Sequence, residues 1–263
     1  MELASVDGAI GRAGEARIPV TDEGLLRGDG GFEVVRLYDG RPFALEDHYA
    51  RLGRSCAGLR LPFGERSLRA EVDALLQAAT PGDALLRLVV TRGGRRLVIV
   101  EALPERAEAA RVMTVPYAPN RILDGLKTLS YAANMLAGRL ARESGYDEAL
   151  LVTPHGRVLE GPTWSFFWAR DGVLLTPPLG DHILASITRD RVIADTGARE
   201  APCTLDDLSA AEEAFIASTV REVMPIAAID AMELPAAPGP VTEDARARLR
   251  ARIERELEAP VRA

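Results

Sequence analysis

Residues 124–141 read DGLKTLSYAANMLAGRLA, and Lys127 within them is the only lysine in a chain of 263 residues. Lysine and arginine together number 32, so every other basic position is arginine. The two side chains differ in a property that matters here. Arginine keeps its proton inside proteins. Lysine, with a solution pKa of about 10.4, is brought down by burial or by a neighbouring cation. Only lysine offers a neutral primary amine, the nucleophile that condenses with an aldehyde. A stray surface lysine in an arginine-biased sequence is the alternative, and the surrounding sequence has to decide between them.

Bulk properties narrow the field. The chain is long for one domain and comfortable for two. Hydrophobic residues make up 47% and charged residues 27%, as in soluble globular proteins. A net charge of −7 disfavours nucleic acid and anionic membranes as partners. The arginines alternate with acids, as in RARLRARIEREL (246–257), which reads as a solvated helix face. No apolar run is long enough to span a bilayer and no signal peptide is evident, so the cytoplasm is the expected location. Cys56 and Cys203 lie far apart, and His48, His155 and His182 form no HxxxH or HExxH unit; no metal is expected. A GxSxG elbow is absent, which removes the commonest serine hydrolase design. Lysine chemistry is what remains.

The pattern of elements is mixed. FEVVRLYDGRPFAL (32–45) predicts two strands around the Asp39-Gly40 turn. Residues 46–59 carry a helical stripe of Leu45, Tyr49, Leu52, Cys56 and Leu59, and a second helix covers 66–79. Residues 84–103 predict a hairpin across Gly93-Gly94, with a further strand at 111–116. YAPNRILDGL (117–126) has no period and reads as a linker. Beyond it a helix is predicted at 130–144, ended by Gly145. Strands follow at 147–153, 157–160, 165–169 and 173–176, a helix at 187–197, strands at 213–218 and 222–230, and a charged helix after Thr242. The expected fold class is α/β (α+β), with an N-terminal domain over 1–116, an interdomain linker over 117–126 and a C-terminal domain over 127–263.

Five segments in order and register then resemble one family: GDGGFEVVRLYDGRPFALEDHYARL (28–52), LKTLSYAANMLAGRLA (126–141), RVLEGPTWSFF (157–167), ILASITRDRVI (183–193) and STVREVMPI (218–226). Together they are similar to the class IV aminotransferases, enzymes of fold type IV that use pyridoxal 5'-phosphate (PLP). The resemblance covers nearly the whole chain. It implies that Lys127 holds PLP as a Schiff base and moves the substrate proton. It implies that Glu160 pairs with the pyridine nitrogen. Arg51, the helix start at Ser186, Ile187 and Thr188, and the Ser218 and Thr219 segment would serve the phosphate. It also implies a homodimer, a small-molecule amino donor and a 2-oxo acid acceptor.

Departures from the family pattern bear on the reaction. Many relatives carry asparagine where Ser165 stands, after Trp164. Branched-chain members carry tyrosine five residues after the lysine, where this chain has Ala132 with Tyr131 one place early. One residue turns a helical side chain by roughly 100°. Aminodeoxychorismate lyases often have a threonine where Val34 stands, and valine cannot donate a proton. A transaminase is therefore expected, with the pyruvate-releasing lyase as the alternative and a non-catalytic relative as a second. D-amino acids or (R)-amines are favoured as donors, with L-branched-chain amino acids next. The expected substrate-facing residues are Phe32, Val34, Tyr131 and Trp164, with Arg87, Arg95 or Arg96 holding a carboxylate.

Overall fold

The computed structural model describes residues 2–258. The chain divides into two compact units. Among the described residues, 2–105, Leu126–Tyr131 and 255–258 form the first; Arg106–Gly125 and Ala132–Glu254 form the second.

The first unit is built on six strands: β1 (Leu3–Val6), β2 (Ala9–Arg12), β3 (Gly30–Tyr38), β4 (Arg41–Pro42), β5 (Ala84–Thr91) and β6 (Arg96–Ala102). They pair antiparallel in the order β2-β1-β6-β5-β3-β4. A short helix, α1 (Glu23–Arg27), precedes β3, and two longer ones, α2 (Leu45–Leu59) and α3 (Glu65–Ala78), follow it. Strand residues alternate between faces. Val35 and Leu37 of β3, Leu86, Leu88 and Val90 of β5 and Val98 of β6 pack against Tyr49, Leu52 and Cys56 of α2 and Leu68, Val72 and Leu75 of α3. Glu33 has the same parity as Val35 and Leu37, which puts a carboxylate on the helix-covered face. Phe32 and Val34 have the other parity, directly opposite Val89 and Arg87.

The second unit has ten strands: β7 (Ala110–Pro116), β8 (Glu148–Val152), β9 (Arg157–Val158), β10 (Ser165–Arg170), β11 (Val173–Thr176), β12 (Arg199–Glu200), β13 (Cys203–Thr204), β14 (Glu213–Ser218), β15 (Glu222–Ile229) and β16 (Met232–Glu233). Nine run in the order β12-β11-β10-β14-β15-β7-β8-β9-β13, and β16 pairs with β15. The sheet is mixed: β7 runs parallel to both β8 and β15, whereas β10, β14 and β15 are antiparallel neighbours. β10 shows why. Its run Ser165–Ala169 is buried at every position, the pattern of a strand covered on both faces. Phe166 stacks on Trp168, and Phe167 stacks on Phe215 across the register. The helices are α4 (Ala132–Glu143), α5 (Ile187–Thr196), α6 (Leu205–Leu208) and α7 (Pro240–Glu258). Among the described residues no helix is long and apolar enough to cross a membrane.

The predicted domain division needs correction at several points. Residues 117–125, expected as a linker, belong to the second unit, and residues 255–258, expected in the C-terminal domain, belong to the first. The boundary lies at 105/106 and not after 116, because β7 completes the second sheet between β8 and β15. Its own alternation suits either sheet, and its partners lie too far along the chain to be read locally. Lys127 was expected to open the second domain. The segment Leu126–Tyr131 belongs instead to the first unit, since its backbone pairs with β3.

Candidate active site

That pairing fixes Lys127. Phe32 N–H donates to Lys127 O at 3.2 Å and Leu129 N–H donates to Gly30 O at 2.8 Å, with Gly31 and Thr128 forming an antiparallel bridge. The Lys127 N–H donates to Ser55 Oγ of α2 at 3.0 Å. Gly30 permits this approach: a Cβ there would lie 2.5 Å from Leu129 Cδ1 and 2.6 Å from Val90 O, distances that no side chain tolerates. With its backbone held from two sides, the lysine places Nζ 4.4 Å from the Phe32 ring centroid and 5.5 Å from that of Tyr131. The two rings meet edge to face at 5.3 Å. The Arg87 guanidinium lies 5.8 Å from the same Phe32 ring. An amine and a guanidinium therefore flank one aromatic side chain.

On the helix-covered face of β3 sits a buried charge cluster. Glu33 is fully buried. Arg51 donates to it from Nε and Nη2, each at 2.7 Å, and His48 Nδ1 lies 2.8 Å from its Oε2. Burial alone would raise the Glu33 carboxyl, but the Arg51 fork and His48 outweigh it and hold its pKa down at about 2. Burial also lowers the His48 pKa; Glu33 opposes this, and the charges of Arg51 and Lys127 add to it. His48 and Arg51 stand three residues apart on α2, a spacing that brings both side chains to one face. The predicted phosphate residue Arg51 is thus oriented by a bidentate carboxylate.

In the second unit, Glu160 follows β9 and its Oε1 accepts from Leu184 N–H at 3.0 Å. Leu184 stands two residues before Ser186, the N-cap of α5, whose Oγ accepts from Arg189 N–H at 3.3 Å. The first N–H groups of a helix have no carbonyl in a preceding turn, so those of Ile187 and Thr188 form, with the dipole, an anion-seeking end. Ser218 ends β14 and Thr219 begins the tight turn to β15, across which Ser218 Oγ accepts from Arg221 N–H at 3.0 Å. The loop after Glu160 is closed by Gly161 N–H donating to Trp164 O at 2.8 Å. A Cβ at Gly161 would lie 1.9 Å from Trp164 Cε2. Gly161→Ala is therefore expected to cost more than the ~1–3 kcal/mol of ordinary overpacking, read as a lowered midpoint in chemical denaturation. An unchanged midpoint would mean that the indole has room to move.

The remaining predicted residues divide. Phe32 and Tyr131 come together beside Lys127 Nζ, and Arg87 reaches the same Phe32 ring, with Val34 next along the strand, opposite Arg87. Arg95 and Arg96 do not join them. Arg95 pairs with Asp7 and Asp22, and Arg96 with Glu71, so both are engaged by acids of their own unit. Trp164, expected to face substrate, is 3% exposed in the core of the second unit, with Nε1 donating to Glu148 Oε2 at 3.1 Å. Sequence inspection did not single out Glu33, His48 or Ser55 as partners of the site. The available signal was an acid at a core-facing position of an alternating strand.

The comparisons with known proteins agree with one another. The Amino-transferase class IV family model matches residues 30–229. A putative branched-chain-amino-acid aminotransferase of Methanocaldococcus jannaschii is 36% identical over 241 residues, covering 82% of this chain and 84% of the relative. A D-alanine aminotransferase of Bacillus licheniformis is 32% identical over 267 residues, covering 92% and 94%. Among solved structures, a fold IV-transaminase of Curtobacterium pusillum matches with a TM-score of 0.85 at 30% identity, covering 97% of this chain and 99% of its own.

Proposed function

The chain belongs to the class IV aminotransferases, which are PLP-dependent transaminases, and from that premise we propose that it moves an amino group from a D-amino acid or an (R)-amine to a 2-oxo acid. The observation that carries this is the shared Phe32 ring, with Lys127 Nζ at 4.4 Å and the Arg87 guanidinium at 5.8 Å. Lys127 is the attachment point of the cofactor, and its Nζ carries the proton to and from the substrate Cα. Arg87 holds the substrate carboxylate, for which it exchanges Glu101, its present partner at 2.5 Å. Other groups would hold the remaining parts of PLP. Glu160, whose Oε1 accepts from Leu184 N–H, would pair with the pyridine nitrogen. Arg51, Ser186, Ile187, Thr188, Ser218 and Thr219 would serve the phosphate. When bound, PLP supplies the electron sink for charge developing at the substrate Cα.

One thing favours the D-amino acid or (R)-amine over the L-branched-chain donor: Ala132 stands where branched-chain members carry a tyrosine. Val34, which has no proton to give, disfavours the lyase. The homodimer implied by the resemblance belongs to the same proposal.

The test is a single-turnover series on the PLP-loaded protein with D-alanine, (R)-1-phenylethylamine and L-leucine, followed by loss of the visible cofactor band. D-alanine or the (R)-amine is expected to discharge it; discharge by L-leucine alone would overturn the donor assignment. Arg87→Leu adds a second arm. It is expected to raise KM for D-alanine about tenfold or more, the worth of a charge-assisted hydrogen bond, and to leave KM for (R)-1-phenylethylamine unchanged. Equal changes for both donors would remove Arg87 from carboxylate binding.

A further inference from the structure

Glu148 opens β8 and is 9% exposed. A carboxylate so placed has to be matched by donors, and two reach it from different segments. Trp164 Nε1 donates to Oε2 at 3.1 Å, and Arg221 Nη2 pairs with Oε1. The same arginine extends Nη1 toward Thr163 Oγ1 at 3.4 Å, and its backbone N–H is held by Ser218 Oγ at 3.0 Å. Trp164 in turn closes the loop that follows Glu160, through its carbonyl and Gly161 N–H at 2.8 Å. Thr163 lies three residues after Glu160, and Arg221 two residues after Thr219. One buried carboxylate therefore ties together the loop assigned to the pyridine ring and the turn assigned to the phosphate.

We propose that Glu148 and Arg221 are positioning residues for the cofactor, locking the Glu160 loop and the Ser218–Thr219 turn into one rigid cradle. Neither side chain needs to touch PLP to do this. Arginine suits the task because its planar fork serves two acceptors at once, Glu148 and Thr163. Lysine gathers its three donors on one nitrogen and lacks the guanidinium's separated arms. The inference rests on Glu160 and Thr219 holding PLP, and the test separates the two claims.

The measurement is PLP retention by the purified holoenzyme in equilibrium dialysis, with circular dichroism to confirm folding. Glu160→Gln and Thr219→Ala come first. Wild-type retention in both would overturn the cofactor assignment and the cradle with it. If they lose affinity, Arg221→Met is expected to raise the PLP dissociation constant about tenfold, a charge-assisted hydrogen bond's worth, and Arg221→Lys to recover part of that loss. Arg221→Met also leaves Glu148 buried without its cation, so the Glu148→Gln, Arg221→Met double variant is expected to lie between wild type and the single variant. This double variant also serves if Arg221→Met fails to fold. Wild-type retention by a folded Arg221→Met, or by the folded double variant, would sink the proposal.

Discussion

Lys127→Arg is expected to lose transaminase activity by about four orders of magnitude or more while the protein stays folded. The substitution keeps the charge and nearly the length of the side chain. It removes the ability to be a neutral amine, and with it two separate functions. A guanidinium does not condense with the cofactor aldehyde, and it cannot accept the substrate Cα proton. Losing a positioned acid–base group alone costs about 10²- to 10⁴-fold, and the lost attachment adds to that. The fold should survive because the backbone hydrogen bonds that tie Lys127 to β3 and α2, its N–H to Ser55 Oγ and its C=O from Phe32 N–H, are untouched by the substitution. Steady-state kinetics beside a thermal melt would check both halves. Activity within tenfold of wild type would remove Lys127 from the chemistry.

Glu33→Gln is expected to give the second large effect, on stability. Breaking a buried ion pair by removing one partner costs ~3–5 kcal/mol, and here Arg51, itself 5% exposed, is left with a neutral amide. The pH dependence follows from the directions of two shifts. Glu33 is held at about 2, below its ordinary 4.5, so its contribution is complete above pH 4.5 and is lost as pH falls toward 2. His48 is also lowered from its ordinary 6.5. The unfolded chain therefore takes up that proton first, and stability already begins to decline as pH drops below 6.5. Both slopes have the same sign, so the wild type should lose stability steadily on acidification. Glu33→Gln should be less stable at neutral pH, with the gap narrowing between pH 4.5 and 2. Denaturation midpoints across that range would show it; parallel curves would mean that Glu33 is not ionised in the folded protein.

Much of this was legible in the sequence because it is local. Two hairpins of the first unit, β3-β4 and β5-β6, the α2 stripe and the capped start of α5 are each written within one short segment, and each stands in the structure within a residue or two of its predicted place; the equally local β1-β2 hairpin across Asp7-Gly8 was not predicted. The non-local parts were not legible. β7 looks like an ordinary strand after the second hairpin, and only pairing with β8 and β15 shows that it belongs to the second sheet. Lys127 was found by its chemistry, yet its attachment to β3 depends on backbone hydrogen bonds that leave no compositional trace. Arg95 and Arg96 sit in the hairpin turn like solvated arginines, and their partners Asp7, Asp22 and Glu71 lie far upstream. Trp164 was expected to face the substrate; Gly161 instead lets the indole fold under its own loop.

The most direct test uses the fact that Lys127 is the only lysine. The PLP-loaded protein would be reduced with borohydride, digested and mapped by mass spectrometry, which leaves only the α-amino terminus as a competing primary amine. The account predicts a stable pyridoxyl adduct on the peptide that contains Lys127, and its absence from Lys127→Arg. An unmodified Lys127 peptide from protein that has bound PLP, or an adduct confined to the N-terminus, would contradict it.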